Sequence, residues 1–185
     1  MSVELLPSDV QADDEPRFEI IDGQRVELPP MGAFESTIAS MVAYYINQFA
    51  IAEMGQAAAE VLFDLRIGRQ RRPDAAFVRY DRWPKRRRIP SGDAWQVTPN
   101  LAVEVVSRWN THRGIIEKVH DYFRAGVQLV WVIDPIHCQV YVYTSPKQIQ
   151  VVDRHDALDG GDVLPGFTLP LATLFDTDAE DTPQA

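Results

Sequence analysis

The spacing of apolar positions changes period several times along the chain, and each change marks an element. Residues 18–21 and 24–28 flank Asp22-Gly23. That pair supplies the positive φ values of a two-residue turn, so the segment predicts a β-hairpin, ended by Pro29-Pro30. Over 32–54, Ile38, Met41, Val42, Tyr45 and Phe49 fall on one helical stripe, which predicts a helix stopped by Gly55. Residues 58–67 predict a strand with Val61, Phe63 and Leu65 on one face and Glu60, Leu62 and Asp64 on the other. Arg72-Pro73 introduces a second strand at 74–79. The turn-rich stretch 80–99, with Trp83-Pro84, Pro90, Ser91-Gly92 and Pro99, predicts a loop.

Residues 101–106 are almost continuously apolar, as in a buried central strand. An amphipathic helix follows at 114–125, closed by Gly126. Strands at 127–133 and 139–143 are joined at Asp134-Pro135. The remainder predicts turns around Asp159-Gly160-Gly161-Asp162 and Pro165-Gly166, then an apolar closing segment at 169–175. Helices interleaved with strands predict an α/β fold, a central mixed β-sheet flanked by helices with an N-terminal β-hairpin. The expected organisation is an acidic lead-in at 1–16, one domain at 17–175 and an acidic flexible tail at 176–185.

Composition narrows the class. With 185 residues, 45% hydrophobic and 24% charged, the chain fits one domain with a real core. No apolar run is long enough to cross a membrane, and the acidic start does not read as a signal peptide. A single cysteine, Cys138, excludes an internal disulfide and argues against a cysteine-based zinc site. A cytoplasmic enzyme or binding protein is the expectation, and the apolar C-terminal residues suggest a homodimer. The net charge of −9 is unevenly spread. Between Arg66 and Arg88 lie ten basic residues and only two acids, Asp74 and Asp81. Acids gather towards both ends, Glu19 being counted with the leading group. The basic window, with Arg71, Arg72, Arg82, Arg86, Arg87 and Arg88, is the candidate nucleic-acid contact, and Trp83 within it is a candidate for stacking on a base.

Glu104 is the anomaly. It stands in Leu-Ala-Val-Glu-Val-Val, where burial of a lone carboxylate costs several kcal/mol unless a cation or donors receive it. Asp74, after Pro73 at a strand start, is a second acid. On adjacent strands two carboxylates can lie about 5 Å apart, a separation suited to one hard cation such as Mg²⁺, with the Val105 carbonyl as a third ligand. Lys118, on the following helix, is the candidate to orient or deprotonate an attacking water. The competing explanation is structural, with Arg71 or Arg72 neutralising Glu104. The four histidines show no ligand spacing, and no Gly-rich phosphate loop or nucleophile elbow is present.

Pro73-Asp74 followed thirty residues later by Glu104-Val105-Val106 resembles the PD-(D/E)XK nuclease signature. More specifically, Phe18-Glu19-Ile20-Ile21-Asp22-Gly23, Arg72-Pro73-Asp74, Leu101-Ala102-Val103-Glu104-Val105-Val106-Ser107, Glu117-Lys118, Tyr122 and Val130-Trp131-Val132-Ile133-Asp134-Pro135 resemble the Uma-type restriction endonuclease family. The resemblance implies a restriction-endonuclease-like fold and metal-dependent cleavage of DNA, with Mg²⁺ or Mn²⁺ as cofactor. Asp74 and Glu104 match the metal-binding acids. The superfamily's lysine two residues after the second acid is replaced by Val106, and Lys118 matches the lysine that the Uma-type family places on the next helix. Glu35 and Glu60 are candidate outer-shell acids. After Ser107 the chain departs from the family, reading Arg108-Trp109-Asn110 where proline and polar residues are usual, with Gly114 where an acid often falls. A catalytically inactive nuclease-fold module that binds nucleic acid or a protein partner is the alternative.

Overall fold

The computed structural model of the chain describes residues 16–92 and 94–176, so the lead-in expected at 1–16 and the tail expected at 176–185 lie outside the described residues apart from Pro16 and Asp176. The hairpin forms as the sequence predicts, β1 (Phe18–Ile21) against β2 (Gln24–Glu27), with Asp22 and Gly23 at φ 51° and 80° in the turn. Helix α1 (Ala33–Ala50) ends before the expected position 54. Its buried stripe is Ile38, Ala39, Val42, Ala43, Ile46 and Ala50, whereas the predicted Phe49 is exposed at the helix edge.

The strand expected over 58–67 is the main departure. It divides into β3 (Gly55–Ala59), β4 (Phe63–Asp64) and, after a reversal, β5 (Arg69–Arg71). Glu60, at φ 59°, breaks the first junction. Arg66 and Gly68, at φ 57° and 78°, turn the second, where the Leu65 amide donates to the Arg69 carbonyl. The break is what makes two sheets. β3 stays with β6 (Ala75–Arg79), while β4 and β5 join the hairpin in a four-stranded sheet ordered β2-β1-β5-β4.

The larger sheet is completed by β7 (Leu101–Val105), β8 (Leu129–Asp134), β9 (Gln139–Ser145) and β10 (Gln148–Asp153), in the order β10-β9-β8-β7-β6-β3. Only β7 and β8 are parallel, and the crossover between them carries α2 (His112–Ala125). Gly126 supplies the expected stop of α2 in the left-handed conformation at φ 93°, while the helix begins two residues before the expected 114, with Thr111 Oγ1 accepting the Gly114 amide. β10 is an additional strand that the sequence pattern does not predict. A short pair, β11 (Ala157–Asp159) and β12 (Thr168–Pro170), and α3 (Ala172–Phe175) close the chain.

The large sheet is covered differently on its two faces. Ala75, Phe77, Leu101, Val103 and Val105 point towards α1 and join its stripe, with Trp131 and Phe167, in one apolar core. Ala76 and Ala102 point towards α2, where Ile115, Val119 and Tyr122 cover them. Leu169, Leu171 and Leu174, the C-terminal apolar residues that suggested a second copy, are buried in the first core. The expectation of a homodimer thereby loses its motive. At the sheet edge, Asn47 of α1 seals β3: its Nδ2 donates to the Ala57 carbonyl at 2.9 Å and its Oδ1 accepts the Ala57 amide at 2.8 Å. Among the described residues no helix is long and apolar enough to cross a membrane.

Candidate active site

The pairing of β6 with β7 sets Ala75 opposite Val103 and Ala76 opposite Ala102. One step beyond the last pair, the same antiparallel register brings Asp74 to Glu104, on the face turned towards α2. Asp74 Oδ2 accepts the Val105 amide at 2.6 Å, which fixes the carboxylate at the mouth of the strand pair. Asp74 is 8% exposed and Glu104 2%. Both line a cavity of about 50 Å³, with Val105, Ser107, Asn110, Lys118, Arg17 and Arg72. That space admits one or two waters or a small ion.

Neither Arg71 nor Arg72 neutralises Glu104. Lys118 Nζ lies 2.8 Å from Glu104 Oε2, and the Tyr122 hydroxyl donates to Glu104 Oε1 at 2.5 Å. Lys118 and Tyr122 are one turn apart on α2 and so share the face that covers β7. The ammonium is shared with a third carboxylate, Glu19 of β1, whose Oε1 is 3.5 Å away. Glu19 is 1% exposed, accepts the Arg72 amide at 2.9 Å and binds Arg71 Nη1 at 2.7 Å. It is therefore a buried part of the site rather than a member of the acidic lead-in.

These contacts set the protonation states. Burial and the neighbouring Glu104 charge push the Asp74 carboxyl up to about 7. Burial also pushes Glu104 up, against the pull of Lys118. For Lys118 burial acts downwards, but Glu104, Glu19 and Asp74 outweigh it and hold the ammonium above the usual lysine range. Tyr122 is pushed well up by burial and the Glu104 charge, so it stays a donor. Lys118 consequently keeps its proton at neutral pH. Of the two roles expected of it, orienting or deprotonating a water, a held proton favours the first.

The arginine window separates into different jobs. Arg71 is 3% exposed and is consumed by Glu19 and by Asp121 Oδ2, 2.5 Å from its Nη2. Arg69 reaches Asp22, Glu117 and the same Asp121. Together they staple the smaller sheet onto α2, so Arg71 does not face a nucleic acid. Arg72 lines the cavity and donates to the Glu60 carbonyl at 2.5 Å. Arg82 ties the carbonyls of Thr98, Pro99 and Gly126 together and is not free for a phosphate. Trp83 is buried beside Trp95, its indole N–H donating to the Arg87 carbonyl, which removes it as a base-stacking residue.

Arg86, Arg87 and Arg88 are exposed, but they follow β6 while Asp74 precedes it. They leave from the opposite end of that strand and do not line the cavity, so this part of the basic window does not gather around Asp74 as its sequence position implies. Glu60 sits beside the site through Arg17, whose Nε is 2.6 Å from Glu60 Oε2 and whose Nη2 is 3.7 Å from Asp74 Oδ1. Glu35, in the first turn of α1, does not line the cavity and faces a neighbouring groove instead.

The donor set suits a hard cation better than a soft one. Two carboxylates and Val105 edge a small cavity. Among the described residues no three His, Cys, Asp or Glu side chains gather as a metal cluster. Mg²⁺ commonly takes one or two carboxylates and keeps waters for its other positions, unlike structural zinc.

Comparison with known proteins gives a family and a fold. The model of the Uma2 family, described as "Putative restriction endonuclease", matches residues 3–172. No curated protein matches. Among solved structures, a crystal structure described as "a putative nuclease belonging to DUF820 from Anabaena variabilis ATCC 29413" superposes with a TM-score of 0.74 at 21% identity, covering 87% of this chain and 90% of that one. The fold is thus the restriction-endonuclease-like one.

Proposed function

The chain belongs to the Uma2 restriction endonuclease family, and from that premise we propose that it hydrolyses phosphodiester bonds in DNA with a divalent cation, Mg²⁺ or Mn²⁺. The observation that carries the reading is the meeting of Asp74 and Glu104 on one face of β6 and β7 with the Lys118 ammonium against them. Asp74, Glu104 and the Val105 carbonyl would hold the cation. When bound, it would neutralise charge on the phosphate and acidify an attacking water.

The chain's own residues supply the rest. Lys118, held between Glu104 and Glu19, orients a water or a phosphate oxygen and opposes the negative charge that develops during attack. Glu104 and Tyr122 fix where that ammonium stands. Arg72, at the cavity wall, is placed to meet a flanking phosphate. Exposed Arg86, Arg87 and Arg88 would meet the backbone away from the scissile phosphate. Arg17 couples Glu60 to Asp74 and so gives Glu60 an outer supporting role.

Cleavage of negatively supercoiled plasmid, whose underwinding exposes unpaired bases, with Mg²⁺ or Mn²⁺, comparing the parent with Asp74→Ala, tests the reading. Metal-dependent nicking that disappears in the variant supports it. Equal nicking by both proteins, or none by either, overturns it. In the latter outcome the inactive binding module takes its place, a reading favoured by the complete satisfaction of Glu104 through Lys118 and Tyr122.

A further inference from the structure

A second concavity of about 560 Å³ adjoins the Asp74–Glu104 cavity, and Pro30 and Met31 line both. Its size is that of small-molecule sites. The segment after β7 divides its side chains between the two: Ser107 and Asn110 line the acidic cavity, Arg108 and Trp109 line the groove.

Trp109 is 56% exposed, yet its backbone is held. Asn110 Oδ1 accepts the Ser107 amide at 2.7 Å and the Ser107 hydroxyl at 2.9 Å, and Thr111 caps α2 immediately afterwards. The Arg108 guanidinium lies 4.9 Å from the Trp109 ring centre. Phe34 and Ile136 add further exposed apolar surface. A large aromatic facing water on a held backbone, backed by a cation and adjoining the Asp74–Glu104 cavity, matches the combination by which proteins hold single-stranded nucleic acid. Bases inside an intact duplex are stacked on one another and cannot present a face to an indole without being unstacked.

We propose that this groove holds an unpaired nucleobase of the strand being cut, stacked on Trp109, with Arg108 meeting the adjoining phosphate. The inference rests on the nuclease reading and narrows its substrate to DNA with an unpaired nucleotide beside the scissile bond. Glu35, at the groove wall, supplies an acceptor for an exocyclic amino group. That gives the acid a place in base selection rather than in metal support.

The test uses the full chain in EDTA, so that binding is read without turnover. The probes are a mixed-sequence single-stranded DNA oligonucleotide and the same sequence paired and closed at both ends with ethylene-glycol linkers, a dumbbell without unpaired bases. Trp83, Trp95 and Trp131 are buried, so a nucleobase can reach only the Trp109 indole. The single strand is expected to quench part of the tryptophan emission and to bind Trp109→Ala about tenfold more weakly than the parent. Trp109→Phe should keep most of the affinity and lose the quench. The dumbbell should bind parent and Trp109→Ala alike.

Equal single-strand affinity in parent and Trp109→Ala overturns the inference. So does equal quenching by the dumbbell. A dimer that sediments as a monomer in Trp109→Ala also overturns it, by showing that a second copy fills the groove. If the parent cleaves plasmid while Trp109→Ala behaves identically, the nuclease reading stands and this inference falls. If the parent neither cleaves nor binds, both fall together.

Discussion

The two faces of the large sheet are built from the same strands and held by different forces. Towards α1, β6 and β7 present Ala75, Phe77, Leu101, Val103 and Val105, and the face closes by apolar packing alone. Towards α2, the alternate positions begin with Ala76 and Ala102 and end in Asp74 and Glu104. There Ile115 and Val119 pack over the alanines, and beside the two acids the cover is ionic. Glu104, Lys118, Glu19, Arg71, Asp121 and Arg69 form one continuous chain of charge-assisted contacts from the cavity to the outer edge of α2. Apolar packing tolerates exchange of one hydrophobe for another of similar volume. A buried chain of charges does not tolerate the loss of one member, because its neighbours are left uncompensated. The lesson is that the site face is specific where the α1 face is stable.

The largest separation of the two faces is expected in catalysis. Asp74→Ala should lower metal-dependent cleavage by on the order of a thousandfold, the rate equivalent of several kcal/mol of lost charge stabilisation. Ile46→Ala, on the α1 side, should leave the cleavage rate per folded molecule unchanged. Gel-based cleavage kinetics on protein whose folded fraction is measured by circular dichroism checks both.

Stability sharpens the comparison because the two faces should cost alike. Lys118→Met strands Glu104 and Glu19 and should destabilise by about 3–5 kcal/mol. Ile46→Ala leaves a cavity and should cost about 2–5 kcal/mol. Only the first loses activity. Urea titration gives the two free energies. An activity loss that tracks stability in both variants would dissolve the distinction.

Much of this arrangement is legible in the chain. The hairpin, both long helices and the central strands follow from period and turn chemistry, and Glu104 announces itself as an acid amid apolar neighbours. Glu19, in Phe-Glu-Ile-Ile, carries the same signal, but counting it with the leading acids hides it. The break at Glu60 is hidden for a different reason. Glutamate gives no local sign of a positive φ, and it is Arg17 and Arg72, distant in sequence, that hold it there. The fate of the arginines is equally nonlocal. Arg71 and Arg86 look alike in a charge count, and only the partners brought by β1 and α2 decide that one is buried. In β10, Ile149 and Val151 face outwards, so the usual apolar-inward alternation does not identify the strand.

A smaller effect separates the faces by pH. Asp74 has its carboxyl pushed up to about 7 in the folded chain, above the ordinary value of 3.8. The folded state therefore holds a proton that the unfolded state has released. This stability is fully present below about pH 4 and is lost as pH rises through 7. Asp74→Asn should be more stable than the parent by on the order of 2 kcal/mol at pH 8, with the difference vanishing near pH 4. Mg²⁺ should stabilise the parent at pH 8 and leave Asp74→Asn closer to its metal-free value. Thermal melts across pH, with and without Mg²⁺, read both. An α1-face variant such as Ile46→Ala should show a constant offset across the same range.

The smallest effect on folding belongs to the exposed loop. Replacing Arg86, Arg87 and Arg88 with alanine should change stability by less than about 0.5 kcal/mol while flattening the salt dependence of DNA binding. Anisotropy titrations at several salt concentrations test it. An unchanged slope would remove these arginines from the DNA contact and leave the backbone to Arg72.

The Asn47 side chain has a consequence for how copies of this protein can meet. An outermost strand offers free amide and carbonyl groups to any extended peptide, and this is the usual starting point for strand-by-strand growth into aggregates. At β3 the Ala57 amide and carbonyl are already occupied by Asn47, so the template is interrupted at its middle residue. At the opposite rim, β10 pairs only with β9 and turns the exposed Ile149 and Val151 to solvent. The large sheet is thus interrupted for recruitment on one side and open on the other, so of its two rims β10 is the one from which misassembly would propagate.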